Sequence, residues 1–338
     1  VSSDPPPPRS SCVSSNRALW LLAANFPFGK VSYDTMLEFY ALAVLRFATN
    51  KLVGGTYTWV DDTGWLQNLD TCANWTGVVC NQESQRVVEI SLPANNLDGT
   101  FPTEIGLLTH LTSLMLEGNH LEGTLPVEVE KLTELEVLDL GSNRFHGPLP
   151  MEIRALTRLQ SLVISSNRFG GNLTFQLETL TNLGVFEGSN NHFEGPLPSS
   201  LPSRSLRLFD VSTNDFTGTI PTEFGNLQSL EDLSFERNLL NGATIPAECG
   251  ALTKLKRFNV GLANLGGTLP SEIGNMSDLV DLRLVGNSLT GSLPSGISGL
   301  SNLRSFAGSL NQLTGTLPTE LGFWSNMRRL DLSFNRLS

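Results

Sequence analysis

The chain has 338 residues, 40% of them hydrophobic and 16% charged, with a formal net charge of −11. That acidic balance argues against nucleic acid or an anionic membrane as the main partner. No apolar run reaches the roughly 18 residues of a membrane span; ALWLLAANF at 18–26 is too short.

In chain order, residues 1–16 are Pro- and Ser-rich and read as a flexible linker with some polyproline II character. Cys12 lies in this segment with no evident role. Residues 17–86 read as a helical N-terminal cap. A short amphipathic helix over 17–26 opens it. A stronger helix follows over 33–49, where Leu37, Tyr40, Ala41, Val44, Leu45 and Ala48 form one stripe. That stripe would cover the open end of whatever coil comes next, with Trp59, Trp65 and Trp75 adding bulk. Cys72 and Cys80 stand just before the repeats. A disulfide between them would hold the cap and imply an oxidising compartment; two free thiols in a reducing one are the alternative. Three Asn-x-Ser/Thr sequons, at Asn74, Asn172 and Asn275, are glycosylation candidates in a secreted chain.

From 87 to 338 the chain repeats itself in about eleven units. Asn95, Asn119, Asn143, Asn167 and Asn191 stand 24 residues apart, and the series resumes at Asn214, Asn238, Asn287, Asn311 and Asn335. Each Asn follows an apolar-x-apolar step such as Leu114 and Leu116. That period-two step faces one side of a short strand, and successive strands must stack in parallel. A buried Asn amide at the bend can bond backbone groups of adjacent coils. The Gly-x-apolar-Pro that follows suits a tight bend and then a short helical or 3₁₀ turn. Three departures stand out: Ala263 in the Asn column, 23 residues into Asn214, and 25 from Asn238 to Ala263. Thr174 also replaces a Pro. Cys249 shares a column with Ile105 and Ile273, which reads as a buried thiol. The final repeat is truncated, so the sequence reads as a piece of a longer protein.

The 24-residue frame with LxGxLP resembles the plant-type leucine-rich-repeat proteins, and Cys72-x-x-Trp75-x-Gly77-Val78-x-Cys80 resembles their paired-cysteine cap. Within that class, ALWLL at 18–22, YALAVLRFATN ending at Asn50, Trp59 and Gly64-Trp65-Leu66 look most like diatom receptor-like members, which set a membrane span before the cap. The resemblance implies an α/β solenoid: a right-handed superhelix with a concave parallel β-sheet, a short 3₁₀ or helical convex side, a second sheet and a helical twist. It speaks to fold far more than to function.

Residues flanking the inward leucines would point out of the concave sheet. Asp139, Glu187, Asp210, Asp232 and Glu236 form an acidic track there, and Arg237, Arg257 and Arg283 a basic patch beside it. A basic stretch of a peptide would lie along the track, with an acidic group against Arg257 and Arg283. The competing reading is a solvated surface whose charges pair across strands, such as Asp232 or Asp281 with Arg257. An enzyme is not expected. His120 and His192 are three repeats apart, about 14 Å at the strand spacing, and no HExxH, P-loop or GxSxG sequence occurs. No metal or cofactor is expected. The expected function is extracellular recognition of a protein, peptide or glycan at the cell surface, as the ectodomain of a receptor-like protein whose membrane segment lies outside this chain. A secreted inhibitor or a cell-wall structural or adhesion protein is the alternative.

Overall fold

The computed structural model describes residues 14–25, 32–53, 56–67, 70–72 and 75–338. Most of the linker, Cys12 and the sequon at Asn74 lie outside them. The chain divides into two units, Val1–His146 and Gly147–Ser338.

The first unit opens with α1, Ser14–Asn25, and α2, Tyr33–Thr49. Ser32 caps α2, its hydroxyl accepting the Thr35 N–H at 3.1 Å. The stripe expected on α2 is too narrow. Phe39, Leu42, Ala43 and even Glu38 and Arg46 are buried alongside Ala41, Val44 and Leu45. The reason is that α2 is packed from more than one side, against α1, the 3₁₀ turn Thr103–Leu107 and the strand Asp98–Thr100. Gly99 makes this approach feasible: a Cβ there would collide with the Ala48 carbonyl. Trp59, Trp65 and Trp75 pack ring to ring at 4.8 and 4.9 Å, and Phe39 meets Trp75 at 5.7 Å. The Arg46 guanidinium sits 4.9 Å from the Trp59 ring.

Cys72 and Cys80 are joined in a disulfide. Cys80 ends the strand Val78–Cys80, which pairs antiparallel with Val87–Ser91. From there the pairing is parallel, to Ser113–Met115 and then Val137–Asp139. The bend Asn residues act as the spacing suggests. Asn119 accepts the N–H groups of Asn95 and Leu97 at 3.0 and 2.9 Å and donates to the carbonyls of Leu92 and Leu116 at 2.8 and 2.9 Å.

In the second unit, eight short strands of the described residues, from Ser161–Val163 to Arg329–Asp331, pair in parallel in sequence order. Behind them phenylalanines fill the coils: Phe186 stacks on Phe209 at 5.5 Å, and Phe193 lies 6.3 Å from both Phe169 and Phe216. Five-residue 3₁₀ turns follow the prolines, as at Thr222–Asn226 and Ser271–Asn275. The coil carrying Thr174 and the shortened coil before Asn214 have hydrogen-bonded turns or loops instead.

A second parallel sheet runs through Arg168–Asn172, His192–Pro196 and Asp215–Thr217, then stops. It resumes only as the bridge of Thr268 with Thr290 and the pair Thr314–Gly315 with Arg336–Leu337. The interruption begins at the irregular repeat. Where a ladder Asn would accept the Leu240 N–H, that N–H bonds the Ala263 carbonyl at 3.1 Å. The backbone thus replaces the missing amide. Cys249 is buried in the turn Ala247–Ala251, and burial pushes its thiol pKa up to about 12, so it is an inert core residue.

Candidate ligand-binding face

Each strand of the second unit's main sheet is three residues long. Its central side chain is buried in the coil, except in Arg329–Asp331, and its outer two lie on the open face. Register then dictates neighbours. Asp232 stands beside Arg257, Arg257 beside Asp281, and Asn259 beside Arg283.

These residues surround a cavity of about 300 Å³ with the charged side chains of Glu187, Asp210, Asp232, Asp281, Arg257 and Arg283 at its walls and Phe209, Leu233 and Phe258 at its base. The face therefore brings together five of the eight residues singled out from the sequence. Glu236 sits at an adjoining cavity, accepting from the Asn259 amide at 2.7 Å. Arg237 points to solvent, with its Nε 4.0 Å from the neighbouring Glu236. Asp139 belongs to the first unit, where its carboxylate accepts the Gly141 N–H at 2.9 Å and burial raises its pKa.

The basic patch is largely compensated by the protein itself. Arg257 forms an ion pair with Asp232 across the strands. Arg283 donates through Nε and a terminal nitrogen to one oxygen of Asp281, at 2.9 and 2.8 Å. That arrangement leaves the other Asp281 oxygen, Oδ1, buried and without a hydrogen-bond partner. An orphaned buried acceptor is costly in a folded protein.

Burial raises the Asp232 pKa, and Arg257 opposes the rise. A folded pKa above the unfolded value means the folded state binds this proton more tightly. The contribution to stability is therefore full below the unfolded value of 3.8 and is lost as pH rises through the folded one. Arg257→Gln removes the opposing charge, so Asp232 should titrate higher still. Carboxyl-carbon NMR titration of both proteins checks this. An unchanged or lowered Asp232 value in the variant would contradict the pairing.

Sequence reasoning passed over several participants. Asn259 was visible only as a member of a mixed column, and Asp281 only as a cross-strand partner for Arg257. Lys256, Arg304 and Arg328 stand one position before the strands, and together with Arg257, Asp281 and Arg329 they line a further cavity of about 370 Å³. The signal was present in the pairs Lys256-Arg257 and Arg328-Arg329 at matching repeat positions. Among the described residues no group of three or more His, Cys, Asp or Glu side chains could hold a metal ion.

With stacked parallel strands, bend asparagines and 3₁₀ turns in place, the chain has the leucine-rich-repeat solenoid fold. A Leucine rich repeat family model matches residues 109–169, and a Leucine Rich Repeat model matches 205–227 and 278–300. Receptor-like protein 7 of Arabidopsis thaliana is 52% identical over 46 residues, 14% of this chain and 5% of that protein. The Arabidopsis receptor kinase HAESA, solved in complex with the peptide hormone IDA and the co-receptor SERK1, superimposes with a TM-score of 0.61 at 26% identity, covering 91% of this chain and 58% of that one. A plant ice-binding protein gives a TM-score of 0.70 at 24% identity over 89% of this chain and 97% of its own, a likeness of fold alone. The chain spans less than two thirds of either receptor relative.

Proposed function

We propose that this chain is the recognition module of a receptor-like protein and that the open face of residues 147–338 binds an extended peptide or protein segment. The observation that carries the proposal is the roughly 300 Å³ cavity in which side chains of both signs of charge stand around an apolar base. A peptide can bring backbone donors and acceptors and charged side chains to such a site, along a line of strands that each offer two side chains. The likeness to a receptor kinase holding a peptide hormone supports the same reading. The Cys72–Cys80 disulfide and the exposed sequon asparagines Asn172 and Asn275 favour a location outside the cell. Attachment to a membrane would come from a segment outside this chain, since no described helix is long and apolar enough to cross one.

Selection of displayed random dodecapeptides on the immobilised chain tests this. Enriched peptides should bind, and Ser234→Trp, which fills the cavity from the open face without touching the buried side of the strand, should weaken them about tenfold or more, the loss expected when a central contact is blocked. Failure to enrich any peptide, or indifference to Ser234→Trp, would sink the proposal.

A further inference from the structure

One column of the second unit behaves differently in its last four coils. The residue just before each ladder position adopts a left-handed backbone: Ser166, Asn190, Thr213 and Arg237 at φ of 56°, 55°, 54° and 53°, then Leu262, Gly286, Leu310 and Phe334 at 53°, 67°, 55° and 55°. Left-handed geometry suits Gly and Asn and is unfavourable for a bulky side chain. Leu262, Leu310 and Phe334 nevertheless occupy it, and they are 41%, 52% and 77% exposed. Leu262 and Leu310 are thus bulky apolar side chains held at a solvent-facing position where Gly or Asn would suit the backbone better. Leu262 lies across Gly286, where a Cβ would collide with its methyl group, and so carries the apolar strip over the glycine position.

The opposite ends of the same strands carry cations. Arg304, Arg328 and Arg329 are exposed, and none forms an ion pair among the described residues. Lys256 and Arg257 in the same cavity are already held, by Glu231 and Asp232. The two edges bound one surface. The cavity on the cationic side and one of about 440 Å³ containing Leu262 and Val285 share Ser305 and Arg329.

We infer that this surface, between Leu262, Leu310 and Phe334 on one edge and Arg304, Arg328 and Arg329 on the other, docks an extended peptide that is both acidic and apolar. An extended chain sends successive side chains to opposite sides. A peptide crossing these strands can therefore present carboxylates to the guanidiniums and apolar groups to the strip. Arginine favours carboxylates through paired, planar hydrogen bonds. The whole chain carries a net charge of −11, so most of its surface disfavours an acidic peptide and these guanidiniums are where one can seat. The inference rests on the peptide-binding reading above and reverses the ligand charge expected from the sequence, a basic stretch along the acidic track.

Fluorescein-labelled octapeptides of alternating Asp and Leu, Lys and Leu, and Asp and Ser test it by fluorescence anisotropy on the whole chain. The Asp–Leu peptide should bind about tenfold or more tighter than either other, one good charged or apolar contact set being worth that much. Arg304→Glu with Arg328→Glu should abolish the preference over Lys–Leu. Leu262→Asn with Leu310→Asn should abolish the preference over Asp–Ser while leaving the thermal midpoint unchanged or raised, because Asn suits the left-handed backbone. Equal binding of Asp–Leu and Lys–Leu, or preferences that survive both double variants, would overturn the inference. So would tight binding of heparin with no binding of the Asp–Leu peptide, which would give the cationic edge to an anionic glycan. If dodecapeptides are enriched by display but the Asp–Leu peptide does not bind, this inference fails and the broader proposal stands. If neither binds, both fail.

Discussion

Asn287→Ala should destabilise residues 147–338 by about 3–5 kcal/mol, since each buried backbone group left unpaired costs on the order of 1–3 kcal/mol. The Asn287 amide holds four such groups. It accepts the N–H of Ala263 at 3.2 Å and of Leu265 at 2.9 Å, and it donates to the carbonyls of Val260 at 2.8 Å and Leu284 at 2.9 Å. The methyl group of alanine replaces none of these bonds, and the site is buried. Ala263→Asn is the matched control. There the Leu240 N–H is already bonded to the Ala263 carbonyl, so an added amide finds one of its donors taken. Because Ala263 is fully buried, the larger side chain should not stabilise the coil and should cost about 1–3 kcal/mol by overpacking. Urea unfolding followed by circular dichroism measures both. Hydrogen exchange should place the Asn287→Ala opening at Ala263 and Leu265, because each coil of a repeat array is held mainly by its neighbours. A loss below about 1 kcal/mol would mean that water or backbone shifts satisfy the four groups and that the Asn column is not what joins the coils.

The Asn column is also the reason so much of the fold could be read in advance. A 24-residue spacing of Asn behind a period-two apolar step specifies strand, bend and stacking together, because one side chain bonds three stretches of backbone. Ala263 marked the irregular repeat correctly, but its remedy was invisible, since a carbonyl that takes over from a missing side chain leaves no trace in residue type. The breadth of burial on α2 was equally hidden. Its stripe suggested one covered face, whereas Gly99, unremarkable in the sequence beyond its column, lets the C-terminal end of the helix approach a strand closely at Ala48, and Glu38 is buried against Arg86 and Val87.

At the candidate site the columns were legible, and so was the pairing of Asp232 with Arg257, but not that of Arg283. Strand periodicity placed Asp232, Arg257 and Arg283 on one face. Which acid holds which base depends on rotamers, and it is Asp281 that holds Arg283 from within the same strand. The apolar strip at Leu262, Leu310 and Phe334 escaped notice for a different reason. A Leu in a leucine-rich repeat looks like core until the left-handed backbone turns it outward.

Arg86→Ala should cost the first unit about 3–5 kcal/mol at neutral pH, the penalty of leaving a buried charge without its partner. Glu38 on α2 is fully buried and receives the Arg86 Nε at 2.7 Å and, more distantly, the Val87 N–H at 3.4 Å. These bonds tie α2 to the start of the first strand in the parallel series. Burial raises the Glu38 pKa above 4.5, and Arg86 holds that rise in check. Without Arg86 the pKa climbs further. A raised carboxyl contributes fully to stability below its unfolded value and loses that contribution as pH rises through the folded one. The deficit of Arg86→Ala should therefore be large near pH 7 and shrink as acid protonates Glu38, toward about pH 4. Replacing both partners, Glu38→Leu with Arg86→Met, should recover most of the loss, because an apolar pair of similar size needs no compensating charge. Tryptophan fluorescence reports the transition directly, since Trp59, Trp65 and Trp75 are buried in this unit. A deficit independent of pH would assign the role of Arg86 to packing of its aliphatic stem, and the double variant would then recover nothing beyond the methionine's own contacts.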